Sequence, residues 1–103
     1  LEHMIQVAGV DHVSIGTDGG IYAEVLTPAF RERHAGFVRR RRAAGISAPG
    51  ETEDGFLFAN ELNSPRRLET LADMLSARGH SDARIEKILG ANLVRVFADT
   101  WKA

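Results

Sequence analysis

Residues 10–17 read Val-Asp-His-Val-Ser-Ile-Gly-Thr. Val10, Val13 and Ile15 are the apolar β-branched members of this stretch, and the pair Gly19-Gly20 follows them closely. Apolar β-branched residues bounded by turn residues are typical of a strand. The sequence therefore predicts one short β-strand at about residues 10–17.

The residues before this strand predict the end of a helix. Met4, Ile5 and Ala8 have the spacing of an apolar helical face, and Gly9 follows them. A helix followed by a strand is the order found in α/β folds with a parallel sheet, but no other segment predicts a strand. Because a lone strand leaves its backbone groups unpaired, its partners are expected from other polypeptide. The opening residues 1–4 fit either a cloning remnant or the native end of a preceding helix.

The composition is typical of a soluble globular protein. The chain has 103 residues, enough for one small domain, with 44% hydrophobic residues, 26% charged residues and a net charge of -1. This charge gives no overall attraction to nucleic acid or to an acidic membrane. No apolar run approaches the ~20 residues of a membrane span, so no span is expected. The absence of cysteine excludes disulfides and thiolate metal ligands and leaves the compartment unknown.

The middle of the chain predicts one basic helix between two loops. Residues 21–27 form a connecting loop, and Pro28 suits the first turn of a helix that runs to about Ala44, with Thr27 as its N-cap. Polar residues 45–55 predict a surface loop. The apolar residues of the helix are Phe30, Phe37 and Val38, and its arginines are Arg31, Arg33, Arg39, Arg40, Arg41 and Arg42. A short apolar segment, Phe56, Leu57 and Phe58, follows the surface loop.

Three further helices are predicted towards the end of the chain. Ser64 caps the first, which starts at Pro65, and Gly79 ends it. The second ends at Gly90 in a left-handed conformation, and Asn92 caps the third. The inward apolar positions are Leu68, Leu71, Ala72, Leu75, Ile85, Ile88, Leu89, Val94, Val96, Phe97 and Trp101.

Asp18 is the sharpest candidate for a chemical role. It lies in Gly16-Thr17-Asp18-Gly19-Gly20, at the C-terminal tip of the predicted strand. In parallel α/β folds that tip faces the active site, and the glycines allow a sharp turn and the close approach of a ligand. The motif also fits an Asx-turn opened by Asp18, since Asp before Gly is common in turns.

The segment from Gly9 to Asp18 resembles the last barrel strand of membrane dipeptidases, which are zinc peptidases of the amidohydrolase superfamily. The tail is similar to that family's C-terminal helices in order and spacing. The matching tail motifs are Leu62-Asn63-Ser64-Pro65-Arg66-Arg67-Leu68, Ala77-Arg78-Gly79-His80-Ser81, Ile85-Glu86-Lys87-Ile88-Leu89-Gly90, Asn92-Leu93 and Arg95-Val96-Phe97. Residues 21–60 lie outside the resemblance and are interpreted as an insertion or long loop over the site.

The resemblance implies an α/β fold, namely the C-terminal fragment of a (β/α)8 TIM-like barrel. It implies a binuclear zinc site in the full-length protein that polarises the peptide carbonyl and activates a bridging water. Asp18 carries over as the catalytic and substrate-binding residue, which exchanges protons with that water and binds the amino group of the dipeptide substrate. Family members often place a second acid shortly afterwards, whereas Gly19-Gly20-Ile21 stands here, so no further role for this loop carries over.

The family's metal ligands do not occur in this sequence. They are a His-x-Asp pair, a bridging glutamate and two further histidines from earlier strands, and a complete barrel needs about 250 residues. The isolated chain is therefore expected to be inactive and to need the rest of the barrel. The expected organisation is a single incomplete domain over residues 1–103, with the last barrel strand at about 10–17, a long loop and basic helix at 19–60, and C-terminal helices at 64–102.

The four histidines give no metal-ligand pattern. His3, His12, His34 and His80 show neither His-x-His nor His-Glu-x-x-His spacing. A structural role near the strand is expected for His12, and a solvated helix face or turn for His34 and His80.

Three alternatives remain open. The run Arg39 to Arg42 allows nucleic-acid binding, but nearby Glu51, Glu53 and Asp54 favour an acid-paired helix face and no nucleic-acid partner. The segment from Ser81 to Phe97 has the ingredients of a helix-turn-helix, although its second helix is apolar. A noncatalytic helical interaction module is the third, in which uncovered apolar faces favour self-association.

Overall fold

The structure is a computed structural model that describes residues 1–18, 20–56 and 58–101. Gly19 of the predicted glycine pair, Leu57 of the apolar segment and Lys102 of the last predicted helix lie outside the described residues. The chain divides into two compact units, Leu1–Gly19 with Arg66–Ala103 and Gly20–Pro65.

Helices and helical turns make up the regular secondary structure of the described residues. The first unit contains α1 (Glu2–Ala8), α3 (Arg67–Ala77), α4 (Asp82–Glu86) and α5 (Asn92–Thr100), and the second contains α2 (Pro28–Ala43). Short 3₁₀ turns lie at Val10–His12 and Asn60–Leu62, and a wide helical turn, Lys87–Ala91, joins α4 to α5.

The predicted α/β fold with a barrel strand at residues 10–17 is wrong. Val10–His12 forms a 3₁₀ turn, and residues 13–18 pair with no strand in the described part of the chain. A strand needs a neighbour whose backbone completes its hydrogen bonds, and the described residues supply none. Val13 does have extended backbone angles, and its side chain and that of Ile15 pack into a helical core instead.

That core is built from buried apolar side chains of the first unit. Its buried members are Ile5, Val13, Leu75, Ile85 and Ile88, and Val10, Ile15, Leu71, Ala72 and Leu89 pack against them. The predicted inward positions from Leu71 to Leu89 are therefore confirmed. Leu68, which begins the predicted stripe of α3, is exposed.

Gly79 and Gly90 act differently at the ends of their helices. The N–H groups of Gly79 and His80 donate to carbonyls in the last turn of α3 at 2.9 and 3.1 Å, with Gly79 at φ 87°. This is a Schellman motif, so the predicted end of the helix is confirmed, although α3 begins at Arg67 and not at Pro65. Gly90 has φ 179°, which is extended and not the predicted left-handed conformation, and the chain continues through the wide turn into α5.

The helix α2 of the second unit begins and ends as its sequence predicts. Thr27 Oγ1 accepts a hydrogen bond from the Phe30 N–H at 3.1 Å, and Pro28 occupies the first turn. At the other end, Gly45 at φ 71° and Ile46 close a second Schellman motif.

Aromatic rings support α2 within this unit. Val38 is fully buried, and the ring centroid of Phe30 lies 5.7 Å from that of Phe56 and 6.5 Å from that of Phe58. Phe56 and Phe58 stack on one another at 5.9 Å. In neither unit does a described helix have the length and apolar character required to cross a membrane.

Candidate functional site

Side chains of α5 hold the backbone of residues 10–13. Nδ2 of Asn92 donates to the carbonyls of Val10 and Val13 at 2.7 and 2.9 Å, and Asn92 is only 5% exposed. Nη2 of Arg95 donates to the Asp11 carbonyl at 2.7 Å. The sequence predicts Asn92 as the N-cap of α5, and this prediction is wrong because its side chain makes no capping hydrogen bond. Side-chain donors here satisfy carbonyls that a sheet would otherwise pair.

An ion pair lies beside this junction. Nζ of Lys87 donates to Oδ1 of Asp11 at 2.5 Å. This hydrogen bond and the charge of the ammonium group hold the pKa of Asp11 below its ordinary value, and the charges of Arg95 and His12 act in the same direction. Because both partners are about half exposed, the pair contributes little to the free energy of unfolding.

Asp18 lies five residues beyond Val13, and its side chain is exposed. Its φ of 44° makes it the one non-glycine residue with a positive φ in the described part of the chain. Asp tolerates the left-handed region better than most residues, and such positions occur both in turns and at functional sites. No described residue donates a hydrogen bond to its carboxylate, so the Asx-turn interpretation gains no support from the described part of the chain.

The clefts of the first unit include two that Asp18 does not line. One has a volume of about 560 Å³ and adjoins residues 10–13. Its lining residues are Asp11, His12, Lys87, Ala91, Asn92 and Arg95. The other, of about 540 Å³, lies between α3 and α4 and is lined by Ala72, Asp73, Ser76, Asp82, Ile85 and Glu86.

His80 has a structural role that the sequence does not predict. Its side chain is only 9% exposed, so the predicted solvated turn is wrong. Nε of Arg84 donates to Nδ1 of His80 at 3.3 Å, while Nε2 of His80 lies 3.0 and 3.1 Å from the two carboxylate oxygens of Glu2. Since Nδ1 accepts, the ring hydrogen of the neutral form lies on Nε2 and is donated to Glu2. His80 thereby joins α1 to the end of α3.

The other three histidines take no part in these contacts of His80. His34 lies half-buried on α2, where its Nε2 donates to the Thr52 carbonyl at 3.3 Å and its ring packs against Phe56. His3 and His12 are exposed. No group of three or more His, Cys, Asp or Glu side chains that could hold a metal ion occurs in residues 1–18, 20–56 and 58–101. The side chains of this chain therefore do not by themselves fit the zinc site that the resemblance implies.

Acidic side chains pair with most of the arginine run. Arg39 contacts Glu32 at 2.7 Å and Glu53 at 2.9 Å, Arg41 contacts Glu51 at 2.8 Å, and Arg42 contacts Glu53 at 3.6 Å. Pairing with the nearby acids Glu51 and Glu53 is thus confirmed. These three arginines already have anionic partners, which any nucleic-acid phosphate would have to displace.

The apolar face of α5 is exposed, although the sequence predicts it to be buried. Its exposed side chains are Leu93, Val94, Val96, Phe97 and Trp101, of which Trp101 is 74% exposed. The Phe97 and Trp101 rings stack at 4.3 Å between centroids. Recognition of base edges requires polar side chains, so this face does not favour a helix-turn-helix function.

Comparison with protein-family models, with curated proteins and with solved structures gives no match for this chain. The resemblance to membrane dipeptidases is therefore carried by the sequence motifs alone.

Proposed function

We propose that this chain is the C-terminal part of a zinc-dependent, membrane-dipeptidase-like metallopeptidase that hydrolyses dipeptides, and that it contributes Asp18. The observation that carries the proposal is the exposed Asp18 carboxylate, which has no partner among the described residues. It lies at the end of a segment anchored by Val13 and Ile15 in the core. The two ordered sequence blocks that resemble the family support the same assignment.

Asp18 has two roles in this proposal. Its carboxylate accepts a hydrogen bond from the ammonium group of the dipeptide, which orients the substrate. It also takes up a proton from the attacking water and delivers it to the leaving amine, as a general base and then a general acid. The zinc ligands are assigned to polypeptide outside this chain, because the described residues contain no ligand set.

The coding sequence upstream of Met4 provides the first test. The proposal expects an in-frame His-x-Asp motif there, since the family's metal ligands come from earlier segments. An upstream reading frame without such a motif contradicts the proposal.

A kinetic test uses the longer, zinc-loaded polypeptide. Asp18→Asn keeps the size of the side chain and removes its charge, so kcat for a dipeptide is expected to fall roughly 10²–10⁴-fold while bound zinc is unchanged. Asp54→Asn is the matched control, because Asp54 is an exposed acid in a turn of the second unit. An Asp18→Asn enzyme with undiminished kcat refutes the assignment.

The isolated 103-residue chain is expected neither to bind zinc stoichiometrically nor to cleave dipeptides. Metal analysis of the purified chain and a dipeptide hydrolysis assay check this expectation. Stoichiometric zinc together with cleavage overturns it.

A noncatalytic interaction module is the second candidate, and one observation favours it. The apolar face of α5 is uncovered, with Val94 69% and Trp101 74% exposed. Contiguous exposed apolar surface often marks a protein interface.

A further inference from the structure

We infer that Asn92 is a positioning residue for Asp18, and this inference rests on the proposed function. Asn92 is buried, and both hydrogens of its Nδ2 group are donated to the carbonyls of Val10 and Val13. These carbonyls lie 82 and 79 positions earlier in the chain. One amide at the start of α5 thus fixes the backbone path of the segment that leads to Asp18.

The segment depends on these side-chain contacts because it has no sheet neighbour. Arg95 donates a hydrogen bond to the Asp11 carbonyl, and Lys87 donates one to the Asp11 carboxylate, but both hydrogen bonds are exposed to water. The Asn92 contact with the Val13 carbonyl is buried, where water does not compete for the carbonyl. Asn92 is therefore the principal anchor, and Arg95 is an auxiliary one.

The effect of the anchor extends along the chain to Asp18. Val13 is 6% exposed and Ile15 packs against the core, so the backbone is fixed on both sides of Ser14. Asp18 follows with an exposed side chain and a strained φ of 44°. A shift of the backbone at Val13 is expected to displace the carboxylate, and catalytic groups tolerate only small displacements.

A purely structural role for Asn92 makes a different prediction. If Asn92 only fills space in the core, Asn92→Leu, which has a similar size and no donor, leaves residues 13–18 unchanged in a folded chain. If Asn92 positions the segment, the same substitution frees the carbonyls of Val10 and Val13 and loosens the residues that follow them.

NMR of the 103-residue chain distinguishes these two roles. In Asn92→Leu, the backbone order parameters of residues 13–18 are expected to fall towards the values below about 0.6 that mark flexible backbone, with α3 unchanged. Asn92→Gln retains the amide donors and is expected to recover part of the order. Asn60→Leu, at an exposed asparagine of the second unit, is the matched control. A folded Asn92→Leu chain with unaltered resonances and order at Asp18 overturns the inference.

Arg95→Met keeps the inference testable if the Asn92 variants fail to fold. Arg95 is exposed, so its loss leaves the core intact, and a smaller change at the same residues 13–18 is expected. No change at Asp18 in this variant also counts against the inference.

Kinetics of the longer, zinc-loaded polypeptide provide the functional measurement. Asn92→Leu is expected to lower kcat by about tenfold to a hundredfold and to raise KM with zinc retained, since a displaced Asp18 carboxylate loses both its proton transfer and its hydrogen bond to the ammonium group of the substrate. An unchanged kcat overturns the inference. Failure of the proposed function appears separately, as an Asp18→Asn enzyme that retains full activity.

Discussion

The side-chain amide of Asn63 forms two hydrogen bonds with the backbone of Glu24, 39 residues earlier in the chain. The Glu24 N–H donates to Oδ1 of Asn63 at 2.7 Å, and Nδ2 of Asn63 donates to the Glu24 carbonyl at 2.8 Å. The amide thus pairs with this backbone as a neighbouring strand would. The two bonds join the beginning and the end of the second unit, Gly20–Pro65.

Removal of this pair is expected to destabilise the second unit. Asn63→Ala loses two hydrogen bonds that are largely exposed, so the free energy of opening of α2 is expected to fall by about 1–2 kcal/mol. Asn63→Asp keeps the acceptor for the Glu24 N–H and loses the donor, so at least half of this effect is expected. Amide hydrogen exchange of α2 provides the measurement, and Asn60→Ala is the control. Exchange rates equal to those of the unmodified chain contradict the prediction.

The pairing of Asp11 with Lys87 predicts a small, acid-sensitive contribution to the free energy of unfolding. The pKa of Asp11 is lowered in the folded chain by the Lys87 hydrogen bond and charge. The folded chain therefore binds the proton less tightly than the unfolded chain, and the contribution is fully present above the unfolded value of about 4 and is lost as pH falls below it.

Asp11→Asn tests the direction of this pH dependence of stability. In the variant, the urea midpoint is expected to fall less steeply between pH 5 and pH 2 than in the unmodified chain. Part of the acid dependence persists in the variant, because Arg66 also lowers the pKa of Glu69. Identical pH profiles for the two chains count against the Asp11 contribution.

Local helix signals were readable from the sequence because they act over a few residues. Thr27 and Pro28 begin α2, and Gly79 ends α3, each through contacts with near neighbours. The inward positions of α3 and α4 follow from helical periodicity in the same way, as the burial of Leu75 and Ile85 illustrates.

Pairing between residues that are distant in the sequence could not be predicted from local patterns, and the wrong predictions of a strand and of an N-cap follow from that. Val10, Val13 and Ile15 have strand-like spacing, but a strand also requires a partner that local pattern does not reveal. The position of Asn92 at the start of a helix suggests an N-cap, whereas its side-chain amide donates hydrogen bonds to the carbonyls of Val10 and Val13, which are far away in the sequence. Asp18 was identified from its glycine neighbours, and its exposure and positive φ agree with an unusual local conformation.

The ion pair between Arg41 and Glu51 is expected to stabilise the loop that follows α2. The Glu51 side chain is only 6% exposed and that of Arg41 is 31% exposed, so water screens this pair weakly. Glu51 also accepts the Ala48 N–H, and Arg41 also donates to the Ile46 carbonyl. Glu51→Ala leaves the Nε–H group of Arg41 and the N–H group of Ala48 without their acceptor.

Glu51→Ala is therefore expected to lower the free energy of opening of α2 by about 1–3 kcal/mol, a typical cost for a lost charge-assisted hydrogen bond. Glu69→Ala is the comparison variant, because the ion pair between Arg66 and Glu69 is largely exposed. Its effect is expected to be smaller, because water screens an exposed ion pair. Amide hydrogen exchange, in α2 for Glu51→Ala and in α3 for Glu69→Ala, provides the measurement. If the two variants lower the free energy of opening equally, burial does not determine how much an ion pair contributes.

The exposed face of α5 is expected to drive self-association of the isolated chain. Val94 and Trp101 are 69% and 74% exposed, and burying such side chains against a second copy removes apolar area from water. Sedimentation is therefore expected to show a weight-average mass that rises with concentration. Val94→Lys introduces a charge at this face and is expected to keep the chain monomeric, whereas Val25→Lys, at an equally exposed valine of the second unit, leaves the association unchanged. A compact monomer at high concentration rules out this role for α5. Trp101 is the single tryptophan of the chain, so its fluorescence reports directly on whether the face becomes covered.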